Sequence, residues 1–314
     1  MRAAFLFASC LLTVPLAADN SLISRGFDHF YNLEYDRAIA DFTSAAHQHP
    51  DEAGPWNHLA QAILYRAMFR SGALETQLVT NSNPFLRREK VQVPPADAAS
   101  FDHAIQNVLD SSQARLRKNR DDTAAFYDLG VAYGLRSNYN FLVRKAWVDT
   151  LHDATRANKA HKRVTELDPN NTDARLIPGV YDYVVGSLPL GYRMLGFLTG
   201  YHGNRERGIH AVETVAREGR SNRVDAQVLL VAIYRRERRA QEAIPLLDNL
   251  ARQFPRNYLL RFELAQMYKD LGDQPAALQE LDRIWQMHCA GAPGFANVTA
   301  EKIASNRSKI EEAN

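Results

Sequence analysis

Leu264-Ala265-Gln266-Met267-Tyr268, then Gly272, then Ala277-Leu278-Gln279-Glu280-Leu281-Asp282-Arg283-Ile284, is the stretch on which the fold turns. Its apolar positions recur every three or four residues, the spacing of one helical face. They flank a glycine that can take the left-handed backbone of a tight turn. The same pattern stands 34 residues earlier: Leu230, Val231 and Tyr234, then Ala243, Leu247 and Leu250, then Pro255. Such a unit is two antiparallel helices joined by a turn. The small Ala265 lets the helices approach, and Pro255 stops the second helix. One unit cannot bury its apolar face alone, so units must stack. The period therefore predicts an all-α solenoid with two regular units at 224–257 and 258–291.

Upstream, the pattern persists in altered form. Gly26, Phe30, Tyr35, Ala38, Phe42, Ala45 and Pro50 mark a first unit, and Trp56, Leu59, Ala60 and Ile63 open the next. Ser71 to Pro95 then delays the partner helix. Its Gly72, Asn81, Asn83, Pro84, Pro94 and Pro95 predict a long loop, and a helix resumes over Ala96 to Lys118. Phe126, Leu129, Gly130 and Tyr133 open a third unit. Its partner pattern (Ala157, His161, Val164) comes late, at Arg156 to Pro169. Ser137 to Thr155 between them has helical spacing, which predicts that the insertion lengthens the helices of this unit. Leu176 to Tyr201 carries only Asp182 and Arg193 as charges, and Arg205 to Arg217 reads as a helix. Core packing is expected for Leu190, Leu195 and Phe197, with Gly179, Gly186, Pro189 and Gly191 at helix corners. The organisation expected is a leader at 1–18, a solenoid of about six units over 19–290, and a polar stretch at 291–314, either a final helix or a frayed tail.

The period and the order of these residues resemble the tetratricopeptide repeat, a right-handed helical solenoid, here with helical and loop insertions in its middle units. Leu129 to Leu135, Leu167-Asp168-Pro169, Gly179-Val180-Tyr181-Asp182-Tyr183, Ser187-Leu188-Pro189 and the Gly-x-Arg-Glu-Arg-Gly run at Gly203 to Gly208 are similar to an exported bacterial tetratricopeptide family of unassigned activity. That resemblance spans roughly Ala96 to Met287 and implies an architecture and an export route. Val180 to Gly219 also resembles a eukaryotic outer-membrane tetratricopeptide family linked to inclusion-body clearance and lipid droplets.

The first residues read as an export signal. Arg2 supplies the positive start, Ala3 to Ala17 an apolar run too short for a stable span, and Ala17-Ala18 a cleavage site. The periplasm or secretion from a bacterial cell envelope is expected. Net charge is +2 and hydrophobic content 46%, which argues against a dedicated nucleic-acid binder.

No catalytic motif emerges, so no enzyme activity, cofactor or metal is expected. His47-Gln48-His49 lacks the accompanying ligands of a metal site. Cys289 reads as a buried or idle thiol. His152 and His161 read as surface or structural residues. Arg235, Arg236, Arg238 and Arg239 read as a solvated turn, and Asp121-Asp122 as a helix start.

Tetratricopeptide geometry, carried over by the resemblance, places Asn57, Gln61, Leu64 and Tyr65 on the concave face, followed by Tyr127, Val131 and Leu135. Asp225, Val228, Arg235 and Arg236 follow, then Leu259, Phe262, Gln266 and Lys269. An aromatic centre with a polar rim suits a peptide. The expected function is a scaffold binding a protein or peptide in this groove. The alternative is a carrier or membrane-surface protein contacting lipid through Leu176 to Tyr201.

Overall fold

The structure is a computed structural model that describes residues 16–74, 90–188, 190, 202–295 and 298–312. Residues 1–15 of the expected leader lie outside it, as do Pro189 and 191–201. Among the described residues the helices form six antiparallel pairs and one last helix. They are α1 (Leu16–Tyr31) with α2 (Tyr35–Gln48), α3 (Ala53–Arg70) with α4 (Pro95–Lys118), α5 (Thr123–Tyr139) with α6 (Trp147–Leu167), α7 (Leu176–Gly186) with α8 (Arg205–Glu218), α9 (Arg223–Arg236) with α10 (Ala240–Gln253), α11 (Tyr258–Asp270) with α12 (Gln274–Cys289), and α13 (Ala300–Glu311). Each helix packs on its successor. The result is an all-α tetratricopeptide-type solenoid.

One device recurs at the turn inside a pair. A residue in the left-handed region follows the first helix in five of the pairs: Leu33 (φ 64°), Gly72 (φ 70°), Lys145 (φ 58°), Arg238 (φ 58°) and Gly272 (φ 80°). In four of these turns the next N–H reaches back to satisfy an exposed carbonyl, Ala73 to Met68 at 2.7 Å among them. Glu34 bonds to His29 at 2.9 Å, Arg239 to Tyr234 at 2.7 Å and Asp273 to Tyr268 at 2.9 Å. This is the helix-ending motif that glycine favours, yet glycine marks only two of the five turns.

The turn at Lys145 absorbs the insertion. After Tyr139 the chain makes one π turn, Asn140–Arg144. The Ala146 N–H then bonds the Asn140 carbonyl at 2.9 Å, and α6 begins at Trp147. Ser137 to Thr155 is thus largely helical, as its spacing predicts. Asp122 caps α5 by accepting from the Ala125 N–H at 3.0 Å.

The pair α7–α8 is held by backbone proximity. A side chain on Gly208 would meet the Tyr183 nitrogen at 2.4 Å, and one on Gly203 the Gly186 nitrogen at 2.7 Å. Gly179, expected at a corner, lies inside α7, where an added Cβ would stand 2.8 Å from that of Ala211. Arg207 pairs with Asp182 at 2.6 Å, while Arg205 and the Tyr183 hydroxyl both reach Glu237, at 3.0 and 2.9 Å. The Gly203–Gly208 run therefore works as a clasp between helices. Core packing does not hold for Leu190, which is 65% exposed. Leu195 and Phe197 lie outside the described residues.

The superhelix curves enough for its first pair to touch its fifth and sixth. The backbone N–H of Arg256 donates to Asn32 Oδ1 at 3.0 Å, and its guanidinium reaches Asp28 at 2.6 Å and Glu34 at 3.2 Å. Asn257 donates to the Tyr31 carbonyl at 2.8 Å. The Tyr31 and Phe254 rings lie 4.9 Å apart. At the C-terminal end α13 buries Ile303 and Ile310 with Tyr258, Phe262 and Leu281.

Candidate functional site

The positions expected on the concave face lie on the first helices of successive pairs, and several of them gather where α3, α5 and α9 meet the end of α1. Tyr31 Oη donates to Asp225 Oδ1 at 3.0 Å across the closure. Gln61, from α3, also hydrogen-bonds Asp225. Tyr65 packs against Phe30 at 5.0 Å. Tyr127 lies 4.9 Å from the His161 ring and hydrogen-bonds Asn222. These side chains are partly buried, so the centre keeps some contact with solvent.

Burial sets the electrostatics here. It pushes the Asp225 carboxyl up to about 6, against the hydrogen bonds from Tyr31 and Gln61, which favour the carboxylate. Burial also raises Tyr31 and Tyr65, and the nearby Asp225 charge raises both further. A carboxylate bonded by a phenol and an amide can accept further hydrogen bonds from a basic or amide-bearing ligand.

Most of the other positions expected on the concave face make internal contacts. Asn57 is buried and donates to the Asp128 carbonyl at 3.1 Å, tying α3 to α5. Leu64 and Leu135 belong to the core, and Val131 is half-buried against it. Arg235, expected in a solvated turn, is buried and pairs with Glu263 at 2.9 Å and Asp270 at 3.5 Å. Of the same run, Arg239 pairs with Glu242 at 2.9 Å. Arg236 is exposed over the Tyr183 ring. Val228 is exposed. Leu259 is half-buried in the core at the C-terminal end. Phe262 is buried beneath α13, with Lys302 Nζ 5.5 Å from its ring centre. Lys269 Nζ donates to the Lys309 carbonyl at 2.6 Å, and Gln266 to Asp270 at 3.0 Å. Phe262 and Lys269, expected in the groove, are thus taken up by the chain's own last helix.

Tyr31 belongs to this site although the inner-face positions above omit it. It stands one period of 34 before Tyr65, so the repeat itself carried the signal. Asn222 and Arg256 lie in turns, where no helical period marks them.

Elsewhere, His161 is a core residue. Its ring fills the space beside Gly130, its Nδ1 lies 3.2 Å from the Ala174 carbonyl, and burial lowers its pKa to about 4. Cys289, read above as buried or idle, is an exposed thiol. Among the described residues no three His, Cys, Asp or Glu side chains are grouped to hold a metal, and no helix is long and apolar enough to cross a membrane. A shallow cleft lined by Glu213, Leu230, Tyr234 and Leu246 opens on the opposite face of α9 from Asp225.

Residues 234–288 match the tetratricopeptide repeat model. The match covers the second half of the fifth pair and nearly all of the sixth. Similar solved structures include a thermophilic tetratricopeptide protein from Thermus thermophilus, at 16% identity and a TM-score of 0.41 over 80% of this chain and 98% of that one. Another, from Parabacteroides merdae, shares 12% identity at a TM-score of 0.35 over 94% and 93%. A third is the tetratricopeptide domain TPR2AB of yeast Sti1, in complex with pHSP90, at 12% identity and a TM-score of 0.28 over 93% and 98%. No curated protein matches the chain. The repeat match at 234–288 and the order of helix pairs agree on an all-α tetratricopeptide-type fold.

Proposed function

We propose that this protein is a non-enzymatic scaffold of the bacterial cell envelope that binds a protein or peptide at the centre of its inner face. Tetratricopeptide repeats commonly serve as protein-binding scaffolds. The observation that carries the reading is the convergence of Gln61, Tyr65, Tyr127 and Asp225 from three helix pairs. They combine aromatic surface with hydrogen-bonding groups on rigid helices, the composition that anchors peptides. The envelope location is supported by the order of Arg2, the apolar run and Ala17-Ala18.

A photocrosslinking residue placed at Tyr65 or Tyr127 in the native host tests this. The expected result is a covalent adduct with a protein or peptide from those positions, and none from exposed Arg252 on α10. Equal labelling from all three positions, or none from the inner face, overturns the reading. Export is tested separately by N-terminal sequencing of the mature protein. A start near Asp19 is expected, and an intact Met1 removes the envelope location.

A further inference from the structure

Nine large apolar side chains are exposed among the described residues, and six of them lie between Trp147 and Leu190: Trp147, Val148, Leu151, Val184, Leu188 and Leu190. The packing of α7 on α5 and α6 directs the end of α7 toward the start of α6. Ile177 of α7 faces Gly134 of α5, where an added Cβ would stand 3.4 Å from its Cδ1. Val184 lies two helical turns further along that face, which aims it at the end of α5 and the start of α6. Val148 is 66% and Leu151 52% exposed on the first turns of α6. A soluble surface rarely leaves such a group of side chains bare without a use.

The charge beside the start of α6 names the occupant of this edge. Lys145 Nζ is shielded from solvent and has no hydrogen-bond acceptor. It sits 5.6 Å from the centre of the Phe141 ring, and that ring meets exposed Trp147 edge-on at 5.0 Å. Arg136 and Arg156 share Asp153, and Arg144 pairs with Asp102. With Asp102 included, the four cations from Arg136 to Arg156 stand against three acids, Asp102, Asp149 and Asp153, an excess of one. A second copy of the chain in a two-fold contact would bring the same cationic excess against itself. The complement to apolar tips flanked by an uncompensated ammonium is an anionic surface with an apolar interior.

We propose that this edge docks on the surface of an anionic phospholipid bilayer. Trp147, Val148, Leu151 and Val184 enter the boundary between headgroups and acyl chains. The Lys145 side chain swings out along its flexible stem to meet lipid phosphates. The proposal is independent of the inner-face reading, since none of these residues lies near Asp225.

Co-sedimentation of the purified full chain with phosphatidylcholine vesicles, with and without phosphatidylglycerol, tests it. Binding is expected to the anionic vesicles and to weaken as salt rises. Leu151→Ser, at an exposed site that leaves the fold intact by circular dichroism, is expected to weaken partitioning about tenfold. Lys145→Gln is expected to cost about fivefold on anionic vesicles only, and Trp285→Ser, exposed on α12, to change nothing. Brominated lipids are expected to quench fluorescence in the wild type and not in Trp147→Phe. Absence of binding to anionic vesicles overturns the proposal. So does binding that Leu151→Ser leaves unchanged, or a concentration-dependent dimer that Leu151→Ser abolishes.

Discussion

The two C-terminal pairs, α9–α10 and α11–α12, and the middle pairs, α5–α6 and α7–α8, solve the same packing problem by different means. In the C-terminal pairs one rule repeats: Leu230 and Leu264 are buried between helices, as are Ala243 with Ala277 and Leu247 with Leu281. A left-handed residue turns each pair at the same place, Arg238 and Gly272. The middle pairs keep the turn but change what surrounds it. A π turn precedes Lys145, and α7 meets α8 at the distance only glycine allows. The regular pairs leave Val228, Leu271 and Trp285 exposed singly, whereas the middle pairs leave six apolar side chains exposed between Trp147 and Leu190. A repeat thus tolerates insertion where its turn and its contact face survive, and the added residues supply surface rather than core.

If the regular pairs are held by apolar volume, Leu264→Ala has the largest effect. Leu264 is 2% exposed, and its truncation is expected to cost about 2–5 kcal/mol in urea unfolding. A cost near zero would break the account of these pairs. If the middle is held by close backbone contact, Gly208→Ala destabilises by about 1–3 kcal/mol although it adds a single methyl group. Gly54→Ala meets nothing within 4 Å, and a neutral or stabilising result is expected there. Equal outcomes at Gly208 and Gly54 would erase the distinction between the two modes.

Asp225 probes the closure that joins the first pair to the regular ones. Its folded pKa of about 6 lies above that of an unfolded aspartate, about 3.9. Between those values the folded state holds the proton that the unfolded chain releases. The contribution of Asp225 to stability is therefore full at low pH and is lost as pH rises through about 6. His58 and His161, lowered to about 4 by burial, act in the opposite sense in wild type and variant alike. Asp225→Asn is expected to gain on the wild type by roughly 1–2 kcal/mol between pH 4 and 7. A difference that stays constant with pH would detach Asp225 from the closure energetics. The smallest effect is expected at Gln279→Ala, on the exposed face of α12, within about 0.5 kcal/mol. A loss comparable to that of Leu264→Ala would shift the register of the sixth pair.

The sequence by itself determined the helix pairs. A period of 34 is a local property, and Leu230, Leu264, Ala277 and Leu281 announce their buried faces through spacing alone. Family geometry, carried over by the resemblance rather than read from spacing, grouped Gln61, Tyr65, Tyr127 and Asp225. The sequence could not show that Asn57, Arg235, Phe262 and Lys269 are taken up internally, because their partners lie on other helices: Asp128, Glu263, and the last helix α13. Nor could it show the turns at Leu33, Lys145 and Arg238, whose left-handed backbone is held by packing rather than by residue type. The closure of Tyr31 on Asp225, 194 residues apart, follows from the curvature of the stack. Curvature sums small rotations between neighbouring pairs, so it is decided only when every pair is in place.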